Sequence, residues 1–289
     1  MASTGAAKAS LACFAWVPHR GPVMAGVGLL LGVTIPDDAH MITRVFAQEK
    51  GNGELEPENR DLVDEFSARG YPVELFSEKS LVRRRLPLDR SCLVAGDVPV
   101  VIAALKQLDV PIPVPDDYPE CLRSFLRRRV WETRLDAVRE RVYRDDFQPF
   151  FIKPKERLKR FTGKVVESYD DLASLVNISK QTPVLCSEVV TWRSEYRVFV
   201  IHGEIKGTRH YWGDPTKTLN EGETLSAINT LERSGNANSA YGIDFGVLTQ
   251  GDTALIELND GFSLGSYGLD RSVYADLILA RWTELMSNE

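Results

Sequence analysis

Apolar and polar positions follow two regimes along this chain. Between residues 42 and 115, short continuous apolar runs alternate with stretches at helical spacing. Residues 42–47, 72–76 and 92–95 read as strands, and 59–70 and 98–108 as helices. Asn59 is the expected N-cap of the first helix, and Gly70 stands just past its end. Residues 49–59 read as a loop and 110–115 as a short extended piece. This β-α-β order predicts a small parallel sheet with helices on its faces. Residues 118–143 read as a basic helical stretch carrying Arg123, Arg127, Arg128, Arg129, Arg134, Arg139 and Arg141, with a solvated face of local ion pairs.

From residue 147 the period shortens to two. An apolar run at 149–154 and a second at 160–166 read as strands, followed by a short helix at 168–179 and a strand at 184–190. Residues 194–211 alternate as a hairpin turning at His202-Gly203. A helix at 221–233 precedes a second hairpin, whose runs flank Gln250-Gly251-Asp252. An amphipathic helix at 270–286 closes the chain. The expected division is an extension at 1–40, an α/β unit at 41–146 and a β-rich unit at 147–289.

Composition narrows the class. With 289 residues, 43% of them hydrophobic, the chain can bury substantial cores. A net charge of −6 and a pI near 5.4 argue against general nucleic-acid binding. Cys13, Cys92, Cys121 and Cys186 make no CxxC or Cys/His zinc spacing, which suits reduced thiols in a cytoplasmic protein. The longest apolar run, 23–35, is too short to span a bilayer, so no membrane is expected as a partner. Lys8, His19 and Arg20 before it suggest a signal peptide, but the long polar lead-in and the lack of an A-x-A site oppose one. The expectation is a poorly ordered extension, with the fold beginning at Met41.

Chemistry concentrates in the second half. In the last hairpin, Glu257 and Asn259 lie two apart and share a face, with Asp244 on the neighbouring strand. These hard oxygen donors suit Mg2+ held jointly with substrate phosphates, but equally a calcium site or a polar strand end. Lys153 and Lys164 each end or open an apolar run. Together they make a polyphosphate cradle; singly, either reads as a lysine snorkelling to solvent. Glu188 and Glu195 flank a strand–bend segment whose exposed backbone can read a purine edge while Glu195 accepts ribose hydroxyls. Two surface glutamates are the alternative. No Ser-His-Asp or Cys-His arrangement offers a nucleophile.

In order, Phe151-Ile-Lys-Pro, Phe161-Thr-Gly-Lys, Ser187-Glu-Val-Val, Ser194-Glu-Tyr-Arg-Val-Phe-Val, Ile243-Asp-Phe and Ile256-Glu-Leu-Asn resemble the ATP-grasp superfamily of carboxylate–amine ligases. Within it the chain is most similar to the clade named for one arginine and two lysines. The resemblance implies a small parallel α/β pre-ATP-grasp unit, then a two-subdomain ATP-grasp fold with antiparallel sheets. It implies ATP and Mg2+ as cofactors, with Lys153 and Lys164 on phosphate and Glu188, Val189, Val190 and Thr191 as the adenine-reading hinge. Glu195 would hold the ribose, and Asp244, Glu257 and Asn259 the magnesium. Arg197 would contact phosphate or an acyl phosphate, with Arg209 an additional phosphate contact. The implied reaction joins a carboxylate to an amine on an amino acid or peptide. A phosphotransferase on the same fold and an inactive nucleotide-binding module are the alternatives, and many relatives form homodimers. The chain departs from the family at the phosphate-covering loop, 155–163, which is basic and holds one glycine instead of several. Its glycine-rich loop after Asn259 names no substrate.

Overall fold

In a computed structural model the described residues are 42–144, 147–156 and 161–287. The expected extension at 1–40 lies outside them. The first unit alternates β1 (Arg44–Glu49), α1 (Pro57–Ala68), β2 (Val73–Ser77), α2 (Glu78–Val82), β3 (Cys92–Ala95) and α3 (Val98–Gln107). Its sheet has the order β2-β1-β3, with both pairs parallel. The central and third strands are largely apolar and buried, as a sheet covered on both faces requires. Asn59 does not cap α1. The helix starts two residues earlier, at Pro57, because proline's missing N–H and fixed φ suit the first turn. The buried Asn59 side chain instead donates to the Gln48 carbonyl at 2.9 Å. Gly70 does terminate the helix, at φ +85°.

The basic stretch at 118–143 is not one helix. It divides into a 3-10 turn (Glu120–Phe125), β4 (Val130–Arg134) and α4 (Leu135–Tyr143). Strand pairing overrides the helical pattern: β4 runs antiparallel to β7 (Pro183–Glu188), with Val130 opposite Ser187 and Arg134 opposite Pro183. With β5 (Phe150–Pro154) and β6 (Lys164–Val166) they form a sheet ordered β4-β7-β5-β6. This sheet reaches back across the expected boundary at 146/147.

The larger sheet comprises β8 (Trp192–Ile201), β9 (Glu204–Gly213), β10 (Ala240–Leu248) and β11 (Thr253–Asp260), in the order β11-β10-β8-β9, all antiparallel. His202 and Gly203 both adopt positive φ in the β8–β9 turn, matching the twist of a two-residue hairpin. Helix α5 (Glu221–Arg233) is capped by Asn220, which accepts from the Glu223 N–H at 2.9 Å. It covers one face of the sheet, where Val198, Val200, Ile243 and Phe245 pack with Ala227, Ile228 and Leu231. On the other face Phe199 and Ile201 join the core of the parallel unit, completed by α6 (Arg271–Ser287). Trp282 of α6 is fully buried and donates from its indole to the Cys92 carbonyl at 2.7 Å. The C-terminal helix thus locks the parallel unit to one end of the large sheet, and the rest of that face forms a cleft wall. Among the described residues no helix is long and apolar enough to cross a membrane.

Candidate nucleotide and metal site

One row of side chains runs across the cleft face of the large sheet. Arg209 on β9 pairs in register with Arg197 on β8, Arg197 with Asp244 on β10, and Asp244 with Glu257 on β11. Directly opposed residues share a face, so two cations and two carboxylates stand side by side. A β-bulge makes this register work. Phe245 opposes Leu255 while Asp244 opposes Glu257, so Ile256 is the extra residue. Without it Leu255 and Glu257 would share a face. With it Leu255 enters the apolar core and Glu257 turns into the cleft.

Arg128 braces that bulge. Its guanidinium donates to the carbonyls of Leu255 at 2.6 Å and Ile256 at 3.1 Å, and to its own neighbour Leu126 at 3.1 Å. It also lies over the rings of Trp192 and Tyr118, 5.3 and 5.9 Å from their centroids. Burial pulls its pKa below the usual arginine value. Nothing in the sequence separates Arg128 from Arg127 and Arg129; the bulge it holds exists only in the paired sheet.

Arg197 forms a bidentate pair with Asp244, both bonds 2.8 Å, and Asn259 donates to the same carboxylate at 3.2 Å. Gly242 lies opposite Asn259, and a Cβ there would come within 3.1 Å of the Arg197 side chain. Lys153 reaches over from the smaller sheet to Glu257 at 2.6 Å and Asp117 at 2.8 Å, with its ammonium 4.6 Å from the Tyr118 ring centroid. Burial disfavours the Lys153 charge, yet Glu257, Tyr118 and Asp117 outweigh it and hold its pKa well above the usual lysine value. Burial likewise works against the Glu257 carboxylate, but Lys153 and Arg197 bring it below the ordinary glutamate range. For Asp244 burial prevails over Arg197, and its pKa is raised. Asp244, Glu257 and Asn259 therefore converge as two carboxylates and an amide. Among the described residues there is no cluster of three or more acidic, histidine or cysteine side chains that could hold a metal. The donor set still fits a divalent cation that takes its remaining ligands from phosphate and water, as Mg2+ does.

A pocket between the sheets leads from this polar end to the crossover from β7 to β8. Phe151 and Val165 line it from the smaller sheet, and Trp192 and Ile256 from the larger. Glu195, 1% exposed, stands in its wall. Glu188 is exposed, donates its backbone N–H to the Arg129 carbonyl at 3.0 Å, and accepts the Arg129 N–H on its carboxylate at 2.9 Å. Its side chain thus anchors the crossover to β4. Among the described residues the peptide groups of Val189 and Val190 have no hydrogen-bond partner, whereas the Thr191 carbonyl accepts from Thr249 at 3.2 Å.

Two expected residues stand apart from this group. Lys164 pairs with the buried Ile152, so it shares the helix-covered face of the smaller sheet and donates to Ser174 at 3.0 Å. The cleft position beside Lys153 belongs to Gly163, where a Cβ would meet Phe151 at 2.5 Å. A one-residue offset in strand parity thus separates the two lysines. Arg209 shares the row with Arg197, but its Nε donates to the Gly268 carbonyl at 3.0 Å. His210 points to the opposite face, with its ring 5.0 Å from that of Tyr196.

Comparison with known proteins agrees with this fold. Residues 125–277 match the ATP-grasp domain model for the second family of the clade named for one arginine and two lysines. A RimK domain ATP-grasp protein from Sphaerobacter thermophilus superposes with a TM-score of 0.53 at 18% identity, covering 82% of this chain and 99% of that one. N5-carboxyaminoimidazole synthetase from Staphylococcus aureus gives 0.55 at 11% identity, covering 84% and 78%. The Aspergillus clavatus N5-carboxyaminoimidazole synthase, solved with ADP and its ribonucleotide, gives 0.53 at 12% identity, covering 82% and 77%. These identities speak for the fold alone. No curated protein sequence gives a significant match. The family match spans more than half the chain, from before β4 into α6, and the chain belongs to the ATP-grasp family, in its one-arginine, two-lysine clade.

Proposed function

We propose that the protein is an ATP- and Mg2+-dependent ligase that joins a carboxylate to an amine through an acyl phosphate, on an amino acid or peptide. The observation that carries this reading is the double ion pair across the cleft, Lys153–Glu257 and Arg197–Asp244. Two carboxylates are held between two cations, and each cation is placed to turn to a phosphate once a metal neutralises its partner. Asp244, Glu257 and Asn259 would hold Mg2+, which would offset charge on the phosphates when bound. Val189 and Val190 present peptide groups to the adenine edge, Glu195 takes the ribose, and Phe151, Val165 and Trp192 enclose the base.

The substrate carboxylate attacks the γ-phosphorus and ADP leaves. The amine nitrogen then attacks the acyl carbon, phosphate leaves, and the amine's proton passes to solvent. Lys153 and Arg197 offset charge gathering on the transferred group, so the protein works by positioning and electrostatics without a covalent nucleophile. ATP supply and the three thiols unpaired among the described residues, Cys92, Cys121 and Cys186, support a cytoplasmic setting.

The test is ADP and phosphate release over a panel of amino acids and short peptides. Amine-dependent ADP formation supports the ligase. A stable phosphorylated product would replace it with a phosphotransferase, and nucleotide binding without turnover would leave a binding module. Lys153→Ala should weaken ATP binding by about ten- to a hundredfold in calorimetry. Glu257→Gln should lower turnover by about a hundredfold or more. Near-normal values would remove these residues from the site.

A further inference from the structure

Arg209 is an arginine of the cleft row with no ion-pair partner among the described residues. Among the described residues its hydrogen bonds go only to neutral carbonyls, Gly268 at 3.0 Å through Nε and Thr208 at 3.1 Å through Nη1. Among the described residues no carboxylate lies within ion-pair distance of it, although Arg197 beside it is bidentate to Asp244. Strands lie about 4.8 Å apart, so the Arg209 backbone is about 10 Å from Asp244 and about 14 Å from Glu257. The bond to Gly268 also ties the guanidinium to the loop after β11, away from the metal candidates.

That loop is built against β9. Leu269 rests on Gly207, where a Cβ would come within 2.5 Å of it, so glycine is required for the approach. Tyr267 adopts φ +47°, a left-handed conformation that a bulky residue holds only under constraint from its surroundings. The constraint places its ring on Tyr211, centroids 4.9 Å apart and planes 22° from parallel, and beneath Arg197, whose guanidinium carbon is 4.9 Å from the Tyr267 centroid. Tyr211 is the extra residue of a bulge in β9, and its stacking on Tyr267 beneath Arg197, with Arg209 bonded to the adjacent Gly268, sets a cation and a paired aromatic wall around the same space next to the reacting end of the cleft.

We propose that Arg209 binds a second anionic group on the acid substrate, against the Tyr211–Tyr267 wall, so that the substrate class is a dicarboxylate: an acidic amino acid or a peptide with a free carboxylate besides the one activated. This rests on the ligase reading and deepens it. A phosphate of ATP offers the same chemistry to Arg209, and the test separates the two sources.

The full chain is incubated with Mg-ATP, hydroxylamine and matched acids: glutarate against butyrate, L-glutamate against its α-amide, and peptides ending in Glu against their C-terminal amides. Hydroxylamine attacks the acyl phosphate, phosphate leaves, and a hydroxamate forms whatever the natural amine is. The expected result is a kcat/KM at least about tenfold higher for each diacid than for its partner. Arg209→Gln should erase that preference, lowering the diacids about ten- to a hundredfold while the monoacids and the calorimetric Mg-ATP affinity stay unchanged. Arg209→Lys should retain part of it. Equal use of monoacids, or an Arg209→Gln variant that loses Mg-ATP affinity with the acid preference intact, overturns the proposal and leaves the ligase standing. Mg-ATP binding with no hydroxamate from any acid overturns the ligase reading and this proposal with it.

Discussion

Replacing Arg128 by methionine tests whether the bulge at Ile256 is held from outside. Methionine keeps much of the aliphatic stem that packs between Trp192 and Tyr118, but removes the donors to Leu126, Leu255 and Ile256. A buried carbonyl that loses its partner costs about 1–3 kcal/mol. The arginine itself is held at a cost, because burial disfavours its charge. Setting that against the lost bonds leaves an expected destabilisation of about 2–4 kcal/mol. The larger effect falls on function. Glu257 is the next residue along the strand, and a misplacement of about 1 Å in a group that positions the reactants costs about a hundredfold in rate. Urea unfolding, followed by tryptophan fluorescence, should show a lower midpoint with an unchanged slope. Turnover should fall about a hundredfold, with a smaller change in KM for ATP. Arg129→Met is the control, since Arg129 is exposed over Trp131 and should cost less than about 0.5 kcal/mol. If Arg128→Met unfolds within about 0.5 kcal/mol of the wild type and keeps its turnover, the bulge is self-supporting and Arg128 is not its brace.

Two further outcomes follow from packing. In Gly246→Ala the new Cβ would lie 2.3 Å from the Trp192 ring, so the ring must move out of the wall of the candidate nucleotide pocket. Stability should fall by about 1–3 kcal/mol and nucleotide affinity should drop in calorimetry; unchanged affinity would show that Trp192 does not shape that wall. Cys186 is buried and its thiol is pushed up to about 12 by burial, so it stays protonated at about pH 8 and lacks the thiolate that alkylation requires. Peptide mapping after iodoacetamide should find Cys186 unmodified in the native protein and modified after unfolding; labelling at equal rates in both states would contradict the burial.

How much is legible in the sequence differs between elements for physical reasons. The β8–β9 hairpin is marked by its His202-Gly203 turn, and the β10–β11 hairpin declares itself because Tyr241, Ile243, Phe245 and Leu255 face a core while Asp244 and Glu257 face the site, so the period of two survives in the residues. The β4 strand does not. Val130–Arg134 carries arginine and glutamate on a partly exposed edge, and its apolar content matches a helical pattern as well as a strand. Only β7 beside it selects the extended form. Helix α1 shows the same limit at finer scale. Asn59 is a good capping residue, but the bond it makes to Gln48 depends on where β1 lies.

The site divides along the same line. Local alternation puts Glu257 and Asn259 on one face, and residue type marks Asp244 and Arg197 as candidate partners for metal and phosphate. Lys153 and Lys164 are equivalent in one dimension. Pairing of β5 with β6 sets Ile152 opposite Lys164, which sends one lysine into the cleft and the other to Ser174. Asp117, Tyr118 and Arg128 join the site only through folding, because each touches strands far away in the chain. Donor chemistry and strand periods are thus present before folding, since residue type and local spacing carry both. Which side of each strand faces the cleft, and what braces the bulge, is settled only when strands pair, because register, bulge position and cross-sheet contacts are properties that no single segment contains.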